Sequence, residues 1–251
     1  MFGLNPLDLL PFIAAGFAAQ LVDGALGMAF GVISNVLLIS LGLPPAAASA
    51  GVHTVETFTT CVSGISHIVH RNVDWKLLAR LALPGAIGAA IGAYVLTQIN
   101  GATAKPFVLG YLTLIGLVLL WRGVRYPPQQ RPARIVEPVA LVGGFLDSAG
   151  GGGWGPIVTG NLLVQGTDPR RTIGTVNASE FLVTLTSTLT FVAALGVAAF
   201  TVPTVGLLIG GVIAAPAGAW LVKHISPKPM LILVGVLLTL TSAYGIYRTL
   251  G

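Results

Sequence analysis

His53, Glu56, Thr57, Thr60, Gly64 and His67 recur at steps of three and four residues, so in a helix they share one face. The sequence around them is apolar. Asn177, Glu180, Thr184 and Ser187 repeat the arrangement further along. An ionised acid in an apolar medium is costly, so such side chains turn toward a protein interior and mark a pathway. Glu56 and Glu180 are therefore candidates for carrying a proton. Histidine changes charge near neutral pH, and His53 has only the untitratable Asn177 as its twin.

The second chemistry belongs to the backbone. Gly150, Gly151, Gly152 and Gly153 run into Trp154 and Gly155, and a weaker counterpart holds Gly27 and Gly31, with Asn35 one turn on. Exposed N–H groups at the start of a half-helix carry about half a positive charge. Two such ends facing each other suit a monoanion without any Lys or Arg. Asp23 and Asp147 begin the two glycine-containing breaks, either as helix caps or in contact with ligand. The expected substrate-binding set is thus Gly27, Gly31, Asn35, His53, Thr57, Gly150–Gly153, Trp154, Gly155, Asn177 and Ser179, with Glu56, Glu180, Asp23 and Asp147 as a coupling or polar network. Neither HExxH nor GxSxG occurs, so no enzyme, bound metal or cofactor is expected. A divalent-metal carrier built on His53, Glu56 and Glu180 stays open at this point.

The elements holding these residues are set by composition. Of 251 residues, 54% are hydrophobic and 8% charged, and the mean hydropathy is +0.88. Soluble domains draw about a quarter of their residues from Asp, Glu, Lys and Arg. The medium is therefore lipid, and disorder is excluded. One cysteine, Cys61, excludes a disulfide scaffold. The net charge of +5 does not indicate nucleic acid, because the basic residues lie scattered between apolar runs. No Lys or Arg precedes Arg71, so no signal peptide is expected.

A crossing helix takes about 20 apolar residues. Residues 77–98, 104–124, 173–199, 203–222 and 228–248 meet that length, and 46–70 does so with its polar stripe. The arms 7–22 and 28–43, and again 135–146 and 156–165, are short, as re-entrant or broken helices are. Placing Arg122, Arg125, Arg131 and Arg134 in the cytoplasm also puts Arg71, Lys76, Arg80, Arg170, Arg171, Lys223 and Lys228 there. Only Lys105 and Arg248 then lie outside, and both termini are periplasmic or extracellular. His67 and His70 are expected at the cytoplasmic interface.

Sliding the chain against itself by 124 residues aligns 22–68 with 146–192 without a gap and gives 12 identities in 47 positions. They include Asp23/Asp147, Gly27/Gly151, Gly31/Gly155, Pro45/Pro169, Glu56/Glu180 and Thr60/Thr184. The fold expected is an all-α polytopic membrane protein of two inverted repeats, each a broken hairpin followed by three crossing helices. Repeat 1 covers 1–124, a basic cytoplasmic linker 125–134 and repeat 2 covers 135–251. Inverted repeats with discontinuous helices at matching positions point to a secondary transporter with a midplane site.

The stretch Gly144–Pro156, containing Asp147-Ser148-Ala149 and the glycine run, followed by Gly174-Thr175-Val176-Asn177-Ala178-Ser179-Glu180, resembles the TauE/SafE sulfite exporter family. That group is also called the toluenesulfonate uptake permease family. Val22–Gly31 is similar to its N-terminal counterpart. The resemblance implies a multi-pass inner-membrane carrier of sulfite, sulfoacetate or other sulfonates, for which export is commonly inferred and uptake occurs in some members. Its partners would be that small anion, membrane lipid and further copies in a homo-oligomer, with no nucleic acid. A passive anion channel and a carrier of small carboxylates are the alternatives.

Overall fold

In the computed structural model, residues 6–125, 132–196, 202–221, 224 and 227–250 are described, and among them every regular element is a helix. The first half comprises α1 (Pro6–Leu26), α2 (Phe30–Ser40), α3 (Pro45–Val69), α4 (Trp75–Gln98) and α5 (Gly101–Arg125). The second begins with α6 (Glu137–Gly150), then a π-helical turn (Gly155–Thr159) running directly into α7 (Gly160–Val164). It continues with α8 (Pro169–Leu195), α9 (Val202–Leu221) and α10 (Pro227–Leu250). Much of the basic linker, residues 126–131, lies outside the described residues, as does Lys223.

Local chemistry sets the boundaries. Asp74 precedes α4 and its Oδ1 accepts the N–H groups of Lys76 and Leu77 at 3.0 and 3.2 Å. Asp168 precedes α8, accepts the Arg171 N–H at 2.8 Å and is followed by Pro169, whose missing N–H costs nothing at a first turn. These caps hold the ends of two polar-striped or crossing helices at one face. The helices Leu9–Leu26, Trp75–Gln98, Gly101–Arg125 and Pro169–Leu195 are long and apolar enough to cross a membrane, as a polytopic membrane protein requires.

One expectation needs correction here. The first arm does not stop at 22; α1 continues for 21 residues to Leu26. Asp23 and Gly24 read as a helix breaker in the sequence, yet Asp23 sits inside the last turn because its carboxylate finds a backbone partner beyond the break. The corresponding α6 has 14 residues.

Element ends recur at the 124-residue offset: Leu26 and Gly150 close α1 and α6, Ser40 and Val164 close α2 and α7, and Pro45 and Pro169 open α3 and α8. Packing follows the same correspondence. α1 lies on α9 as α6 lies on α4; α4 lies on α8 as α9 lies on α3; α3 faces α8 and α5 faces α10. Glycines bring these helices close. In α4, Gly88 and Gly92 admit the backbone at Leu141 and Phe145 of α6, while Gly210 of α9 admits that of Ile13 and Phe17 in α1. Trp75 and Trp121 stay exposed near helix ends, the position of interfacial aromatics.

Candidate functional site

The two breaks share one construction. Asp147 Oδ1 accepts the Trp154 N–H at 2.8 Å, seven residues on. Asp23 Oδ1 accepts the Phe30 N–H at 3.3 Å, also seven residues on. Each aspartate thus reaches from the last turn of one arm to the first N–H of the next, satisfying a donor that a helix start leaves orphaned. The Asp147 carbonyl also accepts from Gly152 at 2.8 Å, and the Asp23 carbonyl from Gly27 at 2.5 Å. Gly151 and Gly152 take φ of 71° and 133°, which side-chain-bearing residues rarely adopt. In the first break Gly27, the counterpart of Gly151, takes φ 64°, and Ala29, the counterpart of Gly153, takes the strained φ of 138°.

The breaks cross in contact. A Cβ on Gly152 would lie 2.5 Å from the Gly31 carbonyl carbon and the Val32 nitrogen. Reciprocally, the place of a Cβ on Gly155 is taken by Met28, 2.6 Å from its Cβ. Asn35 Nδ2 donates to the Gly150 carbonyl at 2.9 Å, and Thr159 Oγ1 donates to the Gly27 carbonyl at the same distance. Asn35 and Thr159 occupy matching positions, as do Met28 and Gly152. The glycine run therefore receives the backbone of the opposite half. Trp154 is wholly buried, donates its indole N–H to the Val176 carbonyl at 3.3 Å and lies against Gly85 of α4.

Behind the crossing lies the polar stripe. His53 Nδ1 is 2.8 Å from the Ser49 carbonyl, so it carries a proton and donates. His53 Nε2 is 3.0 Å from Asp147 Oδ2. With Nδ1 donating to Ser49, a contact of 3.0 Å between Nε2 and a carboxyl oxygen requires a proton between two atoms that would otherwise both be acceptors, and with that proton on either atom the pair has zero net charge. Ser49 Oγ donates to the Ser148 carbonyl at 2.8 Å, and the Ser148 and Ser187 hydroxyls are 2.6 Å apart. Ser63 Oγ donates to Asn177 Oδ1 at 3.0 Å, and Asn177 Nδ2 donates to the Ile173 carbonyl. Thr57 Oγ1 lies 3.0 Å from Thr188 Oγ1, while Ser179 bonds back to its own helix at Val176.

Several buried polar atoms have no partner among the described residues: Glu56 Oε2, Glu180 Oε2, Asn35 Oδ1, Ser34 Oγ, Tyr111 Oη and both Gln20 side-chain atoms. Gln20, Ser34 and Tyr111 escaped the sequence reading. Gln20 and Ser34 sit in otherwise apolar runs, and the offset that found other pairs places Gly235 opposite Tyr111. Tyr111 of α5 lies with its ring over Gly150 and its hydroxyl over Gly153. It also ends a largely apolar cavity of about 360 Å³ between α4, α5 and α6 that reaches Gly150.

At one end of the bundle Arg170 Nε donates to Asn72 Oδ1 at 2.6 Å, which turns Asn72 Nδ2 toward His67 Nδ1 at 3.1 Å. His67 is fully buried, against the expectation of an interfacial residue, because Asn72 in the middle of the α3–α4 loop folds over it. Arg80 holds Glu137 with two bonds of 2.5 and 2.9 Å at the same end. Gln165, just past α7, accepts from Arg134 and Ile135, just before α6. The second broken arm therefore returns to the face from which it starts. No cluster of three metal-binding side chains occurs among the described residues.

The family model described as "Sulfite exporter TauE/SafE" matches residues 12–245. The chain is similar to the "Probable membrane transporter protein YtnM" of Bacillus subtilis (strain 168), at 42% identity over 247 residues, which is 94% of this chain and 81% of that protein. It is also similar to "Sulfite exporter TauE/SafE family protein 3" of Arabidopsis thaliana, 25% identical over 117 residues, covering 45% of this chain and 25% of the relative. No solved structure matches it.

Proposed function

Because this chain belongs to the TauE/SafE sulfite exporter family of membrane transporters, we propose that it is a secondary transporter of a small sulfur-containing anion, sulfite, sulfoacetate or another sulfonate. The reading places both termini outside an inner membrane and the linker 125–134 in the cytoplasm, between repeats inverted with respect to each other. Export is the direction the family name favours.

The observation that carries the reading is the reciprocal crossing of the two breaks over a buried polar stripe. Two half-helix starts converge there, each carrying about half a positive charge at its N–H end. Near them stand the Asn35 amide, His53 and the serines that join α3, α6 and α8. Irregular backbone at membrane depth is tolerated where protein covers it or a cavity adjoins it. Alternating access then requires the Gly31–Gly152 contact to part, exposing the N–H groups of the arms to an anion from one side at a time. Proton coupling through Glu56 and Glu180 belongs to the same reading.

Flux into proteoliposomes tests it. Sulfite, sulfoacetate and other sulfonates should show saturation and counterflow, with small carboxylates as the competing class. Current far above carrier rates would establish a channel instead. Thermal stabilisation by divalent metal, and by none of these anions, would favour a cation carrier.

A further inference from the structure

We infer that the transported anion is accompanied by a proton moving in the same direction, held by Glu56 and Glu180; this rests on the anion site proposed above. Four carboxyl groups converge on the interior, Asp23 from α1, Glu56 from α3, Asp147 from α6 and Glu180 from α8, and none is more than 4% exposed. Their charges act on one another. The other titratable groups facing them are His53 of α3 and Tyr111 of α5. From α2 and the π-helical turn come only uncharged Ser34, Asn35 and Thr159, and no lysine or arginine is among the buried residues described.

The charge accounting is short. His53 and Asp147 share a proton and sum to zero. Asp23 gives Oδ1 to the Phe30 N–H, and neither of its oxygens is among the buried atoms without a partner. Glu56 and Glu180 remain, one from each half. Each sits one helical turn from the Thr60–Thr184 contact, with Thr60 and Thr184 bonded back to the carbonyls of Glu56 and Glu180. Each also keeps an Oε2 that no group among the described residues satisfies. A desolvated carboxylate in that condition is strongly disfavoured unless something arrives to pair with it.

An anion brought to the neighbouring crossing adds negative charge where no lysine or arginine stands among the buried residues described. That charge favours a proton on Glu56 or Glu180, and by linkage the proton favours the anion. The most stable loaded form holds both, and one alternating-access movement carries both across. With a monoanion and one proton, the charge moved is zero. A protonated acid of the polar stripe is neutral and offers an O–H donor, so it no longer repels the anion as its carboxylate would.

The test uses the full-length protein in proteoliposomes with methanesulfonate, whose acid group stays ionised, and an entrapped pH indicator. An inside-alkaline gradient should accelerate methanesulfonate uptake, one proton should enter per anion, and the membrane potential should leave the rate unchanged. In detergent, affinity should rise about tenfold per unit fall in pH for one proton taken up. The double variant E56Q/E180Q should bind the anion with that dependence lost. Saturable methanesulfonate uptake without proton entry, or with protons leaving, overturns the inference in the wild type alone, whatever the variants do. Retained proton entry in a folded double variant overturns its assignment to these two residues. If sulfite, sulfoacetate and methanesulfonate neither stabilise the protein nor cross the membrane, the transport reading itself falls.

Discussion

Thr60 Oγ1 lies 3.3 Å from Thr184 Oγ1, and the two residues are counterparts at the 124-residue offset. Counterparts in contact are what a two-fold relation between the halves would place at its axis. Asn35 and Thr159, also counterparts, each donate to the other half's break, and α3 faces α8. Glu56 and Glu180 lie one turn from the threonine contact.

This contact predicts a specific cross-link. In a Cys61→Ala background, the pair Thr60→Cys and Thr184→Cys should oxidise to an intramolecular disulfide, since two side-chain tips this close fall within disulfide reach. The mobility shift on a non-reducing gel should vanish with either cysteine alone. Cross-linked protein should lose transport if α3 and α8 must separate on the cytoplasmic or outer side during the cycle. Failure to oxidise under conditions that cross-link an exposed control pair would contradict the axial position of these threonines.

The aspartates, alike in sequence, should differ in cost. Asp147→Asn replaces the carboxylate facing His53 by a neutral amide in a buried site, and breaking a buried pair costs about 3–5 kcal/mol. Asp23→Asn disturbs one N–H bond at 3.3 Å, worth about 1 kcal/mol as other helix caps are. Thermal unfolding in detergent should therefore drop much further for the first variant. Adding His53→Asn to Asp147→Asn should restore part of the loss, because an unpaired partner no longer remains buried. Equal losses for the two aspartates would deny the His53–Asp147 pair any special role.

Backbone strain gives a prediction of opposite sign in the two breaks. Ala29 sits at φ 138°, where glycine is at ease, so Ala29→Gly should stabilise by about 1 kcal/mol. Gly152→Ala should destabilise by several times as much, since it meets both a positive φ and the backbone of Gly31 and Val32. Paired melting curves measure both. A stabilising Gly152→Ala would mean that the breaks do not cross in contact.

How far the sequence reached depends on which physical signal each residue leaves. The recurrence of Asp, Gly, Pro and Glu at a fixed offset located both breaks, since each of those residues is rare in lipid or special in backbone geometry. The length of α1 was missed because capping rules look two or three residues ahead, whereas Asp23 acts seven residues ahead through a folded break. Trp154 stands beside the glycines in the sequence, and its burial against Gly85 of α4 is set by the fold alone. The glycine run offers room for a ligand in the sequence; its first tenant is the opposite arm, a long-range contact that no local pattern encodes. His53 and Asp147 were each singled out, but their pairing across 94 residues needed the fold.

Tyr111 separates a structural from a substrate-binding role more sharply than the glycines do. Its hydroxyl is buried over Gly153 without a partner among the described residues, although buried hydroxyls normally find one. Removing an unsatisfied hydroxyl while keeping the ring loses no bond, so Tyr111→Phe should leave thermal stability within about 0.5 kcal/mol of the wild type. If the hydroxyl donates to the transported oxyanion when the breaks part, the same change should weaken anion binding by about 1.5–3 kcal/mol, the range for a hydrogen bond to a charged group. That is a loss of about tenfold or more in affinity. Melting curves and sulfonate binding measured on one preparation decide the matter. Unchanged affinity with unchanged stability would leave Tyr111 as a wall of the apolar cavity, and a large fall in stability would reveal a bond formed by the hydroxyl inside the protein.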